Sequence, residues 1–588
     1  MNGGNVMKNT VIISALSLMM ASGLVAQTNL YTLEGTATYG GHMGDINGDG
    51  YDDIVSGSQN PFGSNIISVW TIDEFGLDAD VDLVITGSTG AMFGTAVAVG
   101  DINGDDIADI AVSASKDTVA DIPGVGAVYI YYGSSTITDN DTLHADDADE
   151  VITRKTAIAN EWYGWNLAIG DFNDDGDGDL AIGGLYTDGL RGRIEIRLGP
   201  DVADTSYATG DTVAGGYDHI LNGFADSTKS APVWGTGPGY FAGGALDVGD
   251  FNGDGADDIF TSNYGYGFGG EFADNNQPGM LSVYLGGDDA DELADHYMIA
   301  PANIVALEKY LYFGYRAINA GDVNNDGTDD YLGASHSWGV AMLWSGERGL
   351  GQADTSGVNT SAALDREPLV TIIEPGATYG YNSSTFNMVG ALGDINGDGY
   401  DDFAVGNTAD STESSTGKNG DGSVHIFLGG KGPLGTADVV MYGSDAEGLG
   451  AGMWSVGDVD DDGLDDFAVS AVTAGKIYIY SGAGLVAGIA DADLVPTGFT
   501  LSQNFPNPFN PNTEIAYEIP ADALVTLKVY NMLGQEVSTV VNKVQTAGVH
   551  NVSWSGLNNN GEMVASGVYT YVLDVDGARL SRKMLLVR

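Results

Sequence analysis

Apolar residues come along this chain in short bursts separated by Asp, Asn and Gly. Residues 53–55, 109–112, 179–182, 402–405 and 466–469 are runs rich in Val, Ile, Leu, Phe and Ala, which read as buried strands and not as helical faces. A short strand precedes each run and often opens on an aromatic-Gly pair, as at Phe93 and Gly94, Tyr163 and Gly164, or Phe313 and Gly314. A third strand follows at 126–133, 192–199, 423–429 and 475–480, in places with period-2 alternation. A fourth run lies at 82–86, 150–153, 219–221, 297–299, 369–372 and 439–442. Four strands per unit, repeated, are the content of a propeller blade. After Tyr480 no fourth strand follows, whereas residues 29–33 stand unclaimed ahead of Tyr39 and Gly40. The N-terminal strand is therefore expected to complete the last unit and join the ends of the repeat region into a ring.

Between the first and second strands of each unit lies one nine-residue pattern, D-x-N-x-D-G-x-x-D. Its first Asp falls at 45, 101, 171, 250, 322, 394 and 458, seven copies at a mean interval near 69 residues. Oxygen-bearing side chains at alternate positions can converge on one hard cation where the chain curls tightly between them. Positions 1, 3, 5 and 9 supply them: Asp45, Asn47, Asp49 and Asp53; Asp101, Asn103, Asp105 and Asp109; Asp171, Asn173, Asp175 and Asp179; Asp250, Asn252, Asp254 and Asp258. The last three copies contribute Asp322, Asn324, Asp326 and Asp330; Asp394, Asn396, Asp398 and Asp402; Asp458, Asp460, Asp462 and Asp466. Position 4 is Gly, Asp or Asn and position 6 is Gly except at Asp106, residues that tolerate left-handed backbone angles. The second copy is on that count the weakest. An EF-hand loop ends in an acid at position 12 between two helices. Here position 12 is Ser56, Val112, Ile182, Thr261, Gly333, Val405 or Val469, and the loop joins strands. Asp, Asn and Gly also build metal-free turns. Seven copies that each gather three or four carboxylates favour calcium, because like charges so close repel unless a cation compensates.

These residues resemble the FG-GAP repeat of integrin α-subunit propellers and of many bacterial secreted proteins. The likeness covers about residues 29–485 and implies an all-β fold, a seven-bladed β-propeller with about seven calcium sites on one face. It also implies a ligand from the position-7 carbonyl, here Tyr51, Ile107, Asp177, Ala256, Thr328, Tyr400 and Leu464. The aromatic is replaced at Leu449 and Gly450, and the Gly is displaced at Phe241, Ala242 and Gly243, so those two blades are expected to begin differently.

The chain has 588 residues, 88 of them Gly, and no Cys, which excludes disulfides, thiolate zinc sites and Cys nucleophiles. Asp and Glu outnumber Lys and Arg by 82 to 21, a charge of −61 that disfavours nucleic acid and anionic lipid surfaces. Residues 1–26 hold Lys8, an apolar stretch from Val11 to Val25 and a small residue before Gln27. That is the layout of a secretory signal peptide, with Met7 as an alternative start and a buried element of the mature fold as the competing reading. No later stretch is long and apolar enough to span a bilayer as a helix.

Charge changes near residue 497: residues 1–496 carry 75 acids and 15 bases, residues 497–588 seven and six. The expected organisation is signal peptide 1–26, propeller 27–485, Pro/Asn linker 486–512 and a small immunoglobulin-like β-sandwich at 513–588. Its strands are read at 513–519, 524–530, 536–541, 549–554, 568–575 and 580–587. Residues 504–509, 529–535 and 566–571 and the basic end at Arg582, Lys583 and Arg588 resemble the type A C-terminal sorting domain of the type IX secretion system, and more distantly the immunoglobulin-like domain of flagellar hook-capping proteins. The resemblance implies an outer-membrane secretion machinery as partner and a secreted or cell-surface location in a bacterium with an outer membrane. A purely structural sandwich is the alternative.

No HExxH, P-loop, complete GxSxG or Rossmann glycine fingerprint occurs, and the seven His are scattered. The reading is a calcium-binding, non-catalytic, monomeric module for adhesion or for capture of an unknown glycan or protein. The alternative is an exported polysaccharide hydrolase or lyase. Trp162, Trp165, Trp234, Trp338 and Trp454 could stack on sugars or pack between blades.

Overall fold

A computed structural model describes most of residues 29–586, with gaps at segments including 35–40, 58–64, 185–192, 201–219, 223–244, 263–276, 299–309, 351–367, 374–387, 409–419, 484–499 and 502–508. The signal segment, residues 241–243, Trp234, Trp338 and most of the proposed linker lie outside the described residues. The chain is all-β. Among the described residues no helix is long and apolar enough to cross a membrane.

Each nine-residue loop connects the first two strands of an antiparallel sheet, and two further strands follow. The second sheet is typical, with Phe93–Gly100, Asp109–Ala114, Ala127–Tyr131 and Glu150–Ile152 in order. The same arrangement recurs around all seven loops, and all six expected fourth strands are present to within one residue at either end. The last sheet contains Leu449–Gly457, Asp466–Ala471 and Lys476–Tyr480, and its fourth member is Tyr31–Glu34. Tyr31 stands opposite Ile479 and Glu34 opposite Lys476, so the N-terminal strand does complete the final unit.

The strands following the loops, such as Asp53–Gly57 and Asp466–Ala471, are buried along their entire length. Sheets therefore pack on both of their faces, and each hydrophobic cluster is shared by two successive sheets. Val55, Ile67 and Leu83 of the first sheet meet Phe93, Val97 and Ile110 of the second. Leu332, Leu343 and Ile372 of the fifth meet Phe403, Val405 and Phe427 of the sixth. The sequence of contacts returns on itself, because Trp454, Val456 and Ile479 of the last sheet pack with Ile54, Trp70 and Ile72 of the first. One seam is partly ionic: between the second and third sheets Arg154 bridges Glu161 (2.6 Å) and Glu195 (3.3 Å), and the Tyr163 hydroxyl donates to Glu195 (3.1 Å).

Among the described residues four strands of the repeat region lie outside the four-strand plan, and two of them, Ile72–Asp73 and Gly76–Leu77, pair with each other in a short hairpin. Asp141–His144, from the second unit, pairs parallel to Leu83–Thr86 and covers the outer edge of the first sheet. Gln277–Gly279, from the fourth, pairs parallel to the opening strand of the fifth. Gly450 explains why a leucine serves where an aromatic was expected. Gly94, Gly164, Gly314 and Gly450 all hold positive φ (75–86°) at a register shift in the opening strand. The glycine sets the bulge, so Leu449 begins its blade as Phe93, Tyr163 and Phe313 do.

In the C-terminal region Thr513–Ile519 pairs with Gly548–Trp554, and Ala523–Asn531 lies between Glu536–Gln545 and Gly567–Val575, with Ala578–Leu586 outermost. The two sheets share one apolar core of Ile515, Tyr517 and Trp554 against Val525, Leu527, Tyr571 and Leu573. Phe509, read as linker, is buried in that core, and Thr500–Leu501 pairs with Tyr517 and Glu518.

Candidate metal centres

Asp at position 1 organises each loop. In the first, Asp45 Oδ1 accepts from the Gly48 and Asp49 N–H groups (2.7 and 3.0 Å) and its Oδ2 from Gly50 (2.8 Å). The bond from the position-6 N–H to the position-1 carboxylate recurs in all seven loops at 2.7–3.0 Å. So does one from the position-7 N–H to the position-5 carboxylate, at 3.0–3.2 Å. The curl needs left-handed backbone at positions 4 and 6, met by Gly48 and Gly50 with φ of 73° and 94°. Asp106 replaces the position-6 glycine yet holds φ at 66° and makes the same bond to Asp101 (2.7 Å), so the second loop keeps its shape at a cost in strain.

The closing Asp is buried. Asp53, Asp109, Asp179, Asp258, Asp330, Asp402 and Asp466 are all 0% exposed, at the start of the strand after the loop. One oxygen accepts from the position-2 N–H in six loops, as from Ile46 (3.1 Å); in the fifth the Asn324 side-chain amide donates to Asp330 instead (3.1 Å). Burial pushes these carboxyls up, to between about 6 for Asp109 and about 8 for Asp402. Among the described residues, the charged neighbours that act most on them are aspartates at positions 1, 3 or 5 of the same loop. The position-5 carboxylates are exposed. In the last loop carboxylate oxygens of Asp458, Asp460 and Asp462 lie within 4.8 Å of one another. A cluster of uncompensated carboxylates beside a buried one, with an amide oxygen at position 3, is a donor set suited to a hard divalent cation. All seven loops thus share one curl, and among the described residues it brings three carboxylates within 4.8 Å of one another in the last loop only.

A further set of residues was not singled out from the sequence. The other oxygen of each position-9 carboxylate accepts from an N–H beyond the third strand: Ile72 in the first loop, then Gly133, Gly199, Gly286, Gly346, Gly429 and Gly482, at 2.6–3.1 Å. A Cβ at any of these glycines would lie 2.2–2.7 Å from the carbonyl oxygen of loop position 8. Their signal was the glycine that ends each third strand. Of the tryptophans, Trp162 and Trp165 stack at 5.3 Å and remain half-buried, whereas Trp454 is packed between the last sheet and the first.

Comparison with known proteins agrees with this geometry. The model of the FG-GAP repeat matches residues 93–131 and 386–427, each holding one loop and the strands around it. The chain carries FG-GAP repeats. It is 32% identical over 162 residues to the phosphatidylinositol-glycan-specific phospholipase D of Bos taurus, and 32% identical over 199 residues to integrin alpha-8 of Homo sapiens. Those stretches are 25% and 33% of this chain but only 18% and 17% of the relatives' own lengths. The FG-GAP β-propeller is thus like that of integrin α. The model of the FlgD Ig-like domain matches residues 509–578, beginning at the buried Phe509. Among solved structures, PorZ, a bacterial surface component of the type-IX secretion system of Porphyromonas gingivalis, covers 94% of this chain and 60% of its own at 12% identity and a TM-score of 0.35. The Dos1 propeller covers 73% and 74% at 12% identity and a TM-score of 0.36. Both likenesses are remote.

Proposed function

We propose that residues 27–485 form a closed seven-bladed propeller whose loops hold about seven calcium ions, and that this propeller is a non-catalytic binding module of an exported protein. The observation that carries the metal reading is the set of seven buried position-9 carboxylates whose leading charged neighbours, among the described residues, are aspartates. In each loop positions 1, 3, 5 and 9 would hold the ion together with the position-7 carbonyl. When bound, calcium supplies the positive charge that lets these carboxylates stay ionised side by side. The contacts that run from the last sheet back to the first support closure and the blade count.

The integrin α likeness supports a binding role, with a glycan or protein as ligand. In this reading residues 513–588 are an immunoglobulin-like sorting domain that delivers the module through an outer-membrane machinery to the cell surface or medium. The FlgD Ig-like match and the two-sheet core support its fold. Calcium titration of the full chain, followed by a glycan array and a turnover assay with calcium and with chelator, tests the proposal. About seven bound ions and calcium-dependent capture without turnover are expected. Absence of bound calcium would overturn the metal reading, and depolymerisation of a captured glycan would overturn the non-catalytic one.

A further inference from the structure

The seven loops are bonded to one another. The N–H at position 8 donates to the position-1 carbonyl of the preceding loop: Ala108 to Asp45 (2.9 Å), Gly178 to Asp101 (2.9 Å), Asp257 to Asp171 (3.0 Å), Asp329 to Asp250 (3.0 Å) and Asp401 to Asp322 (3.3 Å). Where position 8 is Asp in the last four loops, its carboxylate reaches back as well. Asp257 Oδ2 accepts from the N–H of Asp171 (2.9 Å), Asp329 from Asp250 (3.1 Å), Asp401 from Asp322 (2.8 Å) and Asp465 from Asp394 (3.1 Å). These four are half-buried between sheets. The close approach requires the residue before position 1 to lack a side chain: a Cβ on Gly170, Gly249, Gly321 or Gly393 would lie 2.2–2.6 Å from side-chain atoms at the seam, position-8 carboxylate oxygens among them. At the first two junctions the position-8 residues are Ala108 and Gly178, so only the backbone bond is possible there.

We propose that Asp257, Asp329, Asp401 and Asp465 are positioning residues that couple calcium binding in one loop to calcium binding in the loop before it. The inference rests on the cation reading of the loops. Position 8 is joined by one peptide bond to the position-9 ligand, and position 1 is itself a ligand. An ion that orders positions 8 and 9 of one loop fixes the acceptor that holds the position-1 backbone of its neighbour, and the ordering is reciprocal. The third to seventh loops are thus one chain of coupled sites, while the first two junctions lack the side-chain connection.

The test is a calcium titration of the full chain, reading the number of bound ions and the midpoint, with Asp401→Ala and Asp401→Asn beside the natural protein. Asn keeps an oxygen that can accept from Asp322. Asp401→Ala is expected to bind the same number of ions with a roughly two- to tenfold higher midpoint for the affected sites, the worth of one hydrogen bond. Asp401→Asn should restore most of the loss. Removing the fifth site with Asp322→Ala should weaken the sixth in the natural background and leave it unchanged in Asp401→Ala. Asp465→Ala provides the same comparison at the next junction should Asp401→Ala fold poorly. If the natural chain binds calcium and the Ala variants titrate like it, the coupling is wrong and the cation reading stands. Loss of one whole ion in both Asp401 variants would make the residue a ligand and overturn the positioning role. A natural chain that binds no calcium overturns both.

Discussion

In the repeat region the strand after each loop is buried residue by residue, as Asp466–Ala471 is, whereas Ala523–Asn531 in the C-terminal region alternates buried with half-exposed or exposed positions. The first pattern belongs to sheets covered on both faces, the second to a sheet with one face on a core and the other in water. The two regions also handle charge differently. Residues 1–496 carry net −60, with seven position-9 carboxylates at 0% exposure, while residues 497–588 carry net −1 around an apolar core cluster. Inter-sheet packing alone can hold the second. The first concentrates like charge at the joint between strands, which the proposed calcium ions would offset.

The largest expected break in the symmetry is chelation. At calcium one hundredfold above its dissociation constant each site contributes about 2.7 kcal/mol, so EDTA should lower the repeat-region melt by on the order of ten degrees or more. The C-terminal transition should stay where it was. Scanning calorimetry with and without chelator checks this, and two transitions that move together would erase the distinction between the regions. Next comes closure. Leu33→Ala empties a fully buried position on the strand that completes the last sheet and should cost about 2–4 kcal/mol, against roughly 0.5 or less for the half-exposed Leu524→Ala, as urea unfolding would show.

Gly346→Ala should follow, at about 1–3 kcal/mol, because its Cβ would stand 2.5 Å from the Asp329 carbonyl oxygen; the variant's melting temperature in calcium is the measurement. The remaining expectation concerns pH in chelator. Burial raises the position-9 carboxyls from 3.8 to about 6–8, so the folded chain binds more protons than the unfolded one in this range. The resulting stability is complete below pH about 4 and is lost as pH rises through the folded values. The metal-free repeat region should therefore melt at a clearly lower temperature at pH 8 than at pH 5, and saturating calcium should abolish or reverse that slope. A chelated melt that rises with pH would contradict it.

Much of this was legible in the residues. Short apolar runs between Asp/Gly loops located the strands, and the unclaimed segment before Tyr39 foretold the partner of Lys476–Tyr480. What escaped notice depends on neighbours distant in sequence. Gly133 read as an ordinary strand end and Gly482 was not singled out, because the carbonyl 2.4 or 2.3 Å from each absent Cβ belongs to loop position 8, two strands back along the chain. Asp257 read as one acid among many, because its partner, the N–H of Asp171, is 86 residues away. The parallel strand Asp141–His144 lacked a signal of its own, being polar at its start and held by the edge of another unit. Leu449 was misjudged because the side chain was weighed, when the positive φ of Gly450 sets the bulge.

The pairing of Tyr31 with Ile479 bears on how the chain comes to be folded at all. Its two strands are separated by nearly the whole repeat region, so at about 5–20 residues per second the first is made roughly half a minute to a minute and a half before the second. For that interval an apolar segment near the start of the chain has no native partner, and the last sheet cannot be finished by its own neighbours. The closing contact also spans the longest sequence separation of the strand pairs described, the kind that forms late and slowly. Final assembly of the repeat region is thereby tied to completion of the chain, and an incomplete copy leaves the edge of Tyr31–Glu34 exposed to any strand that can pair with it.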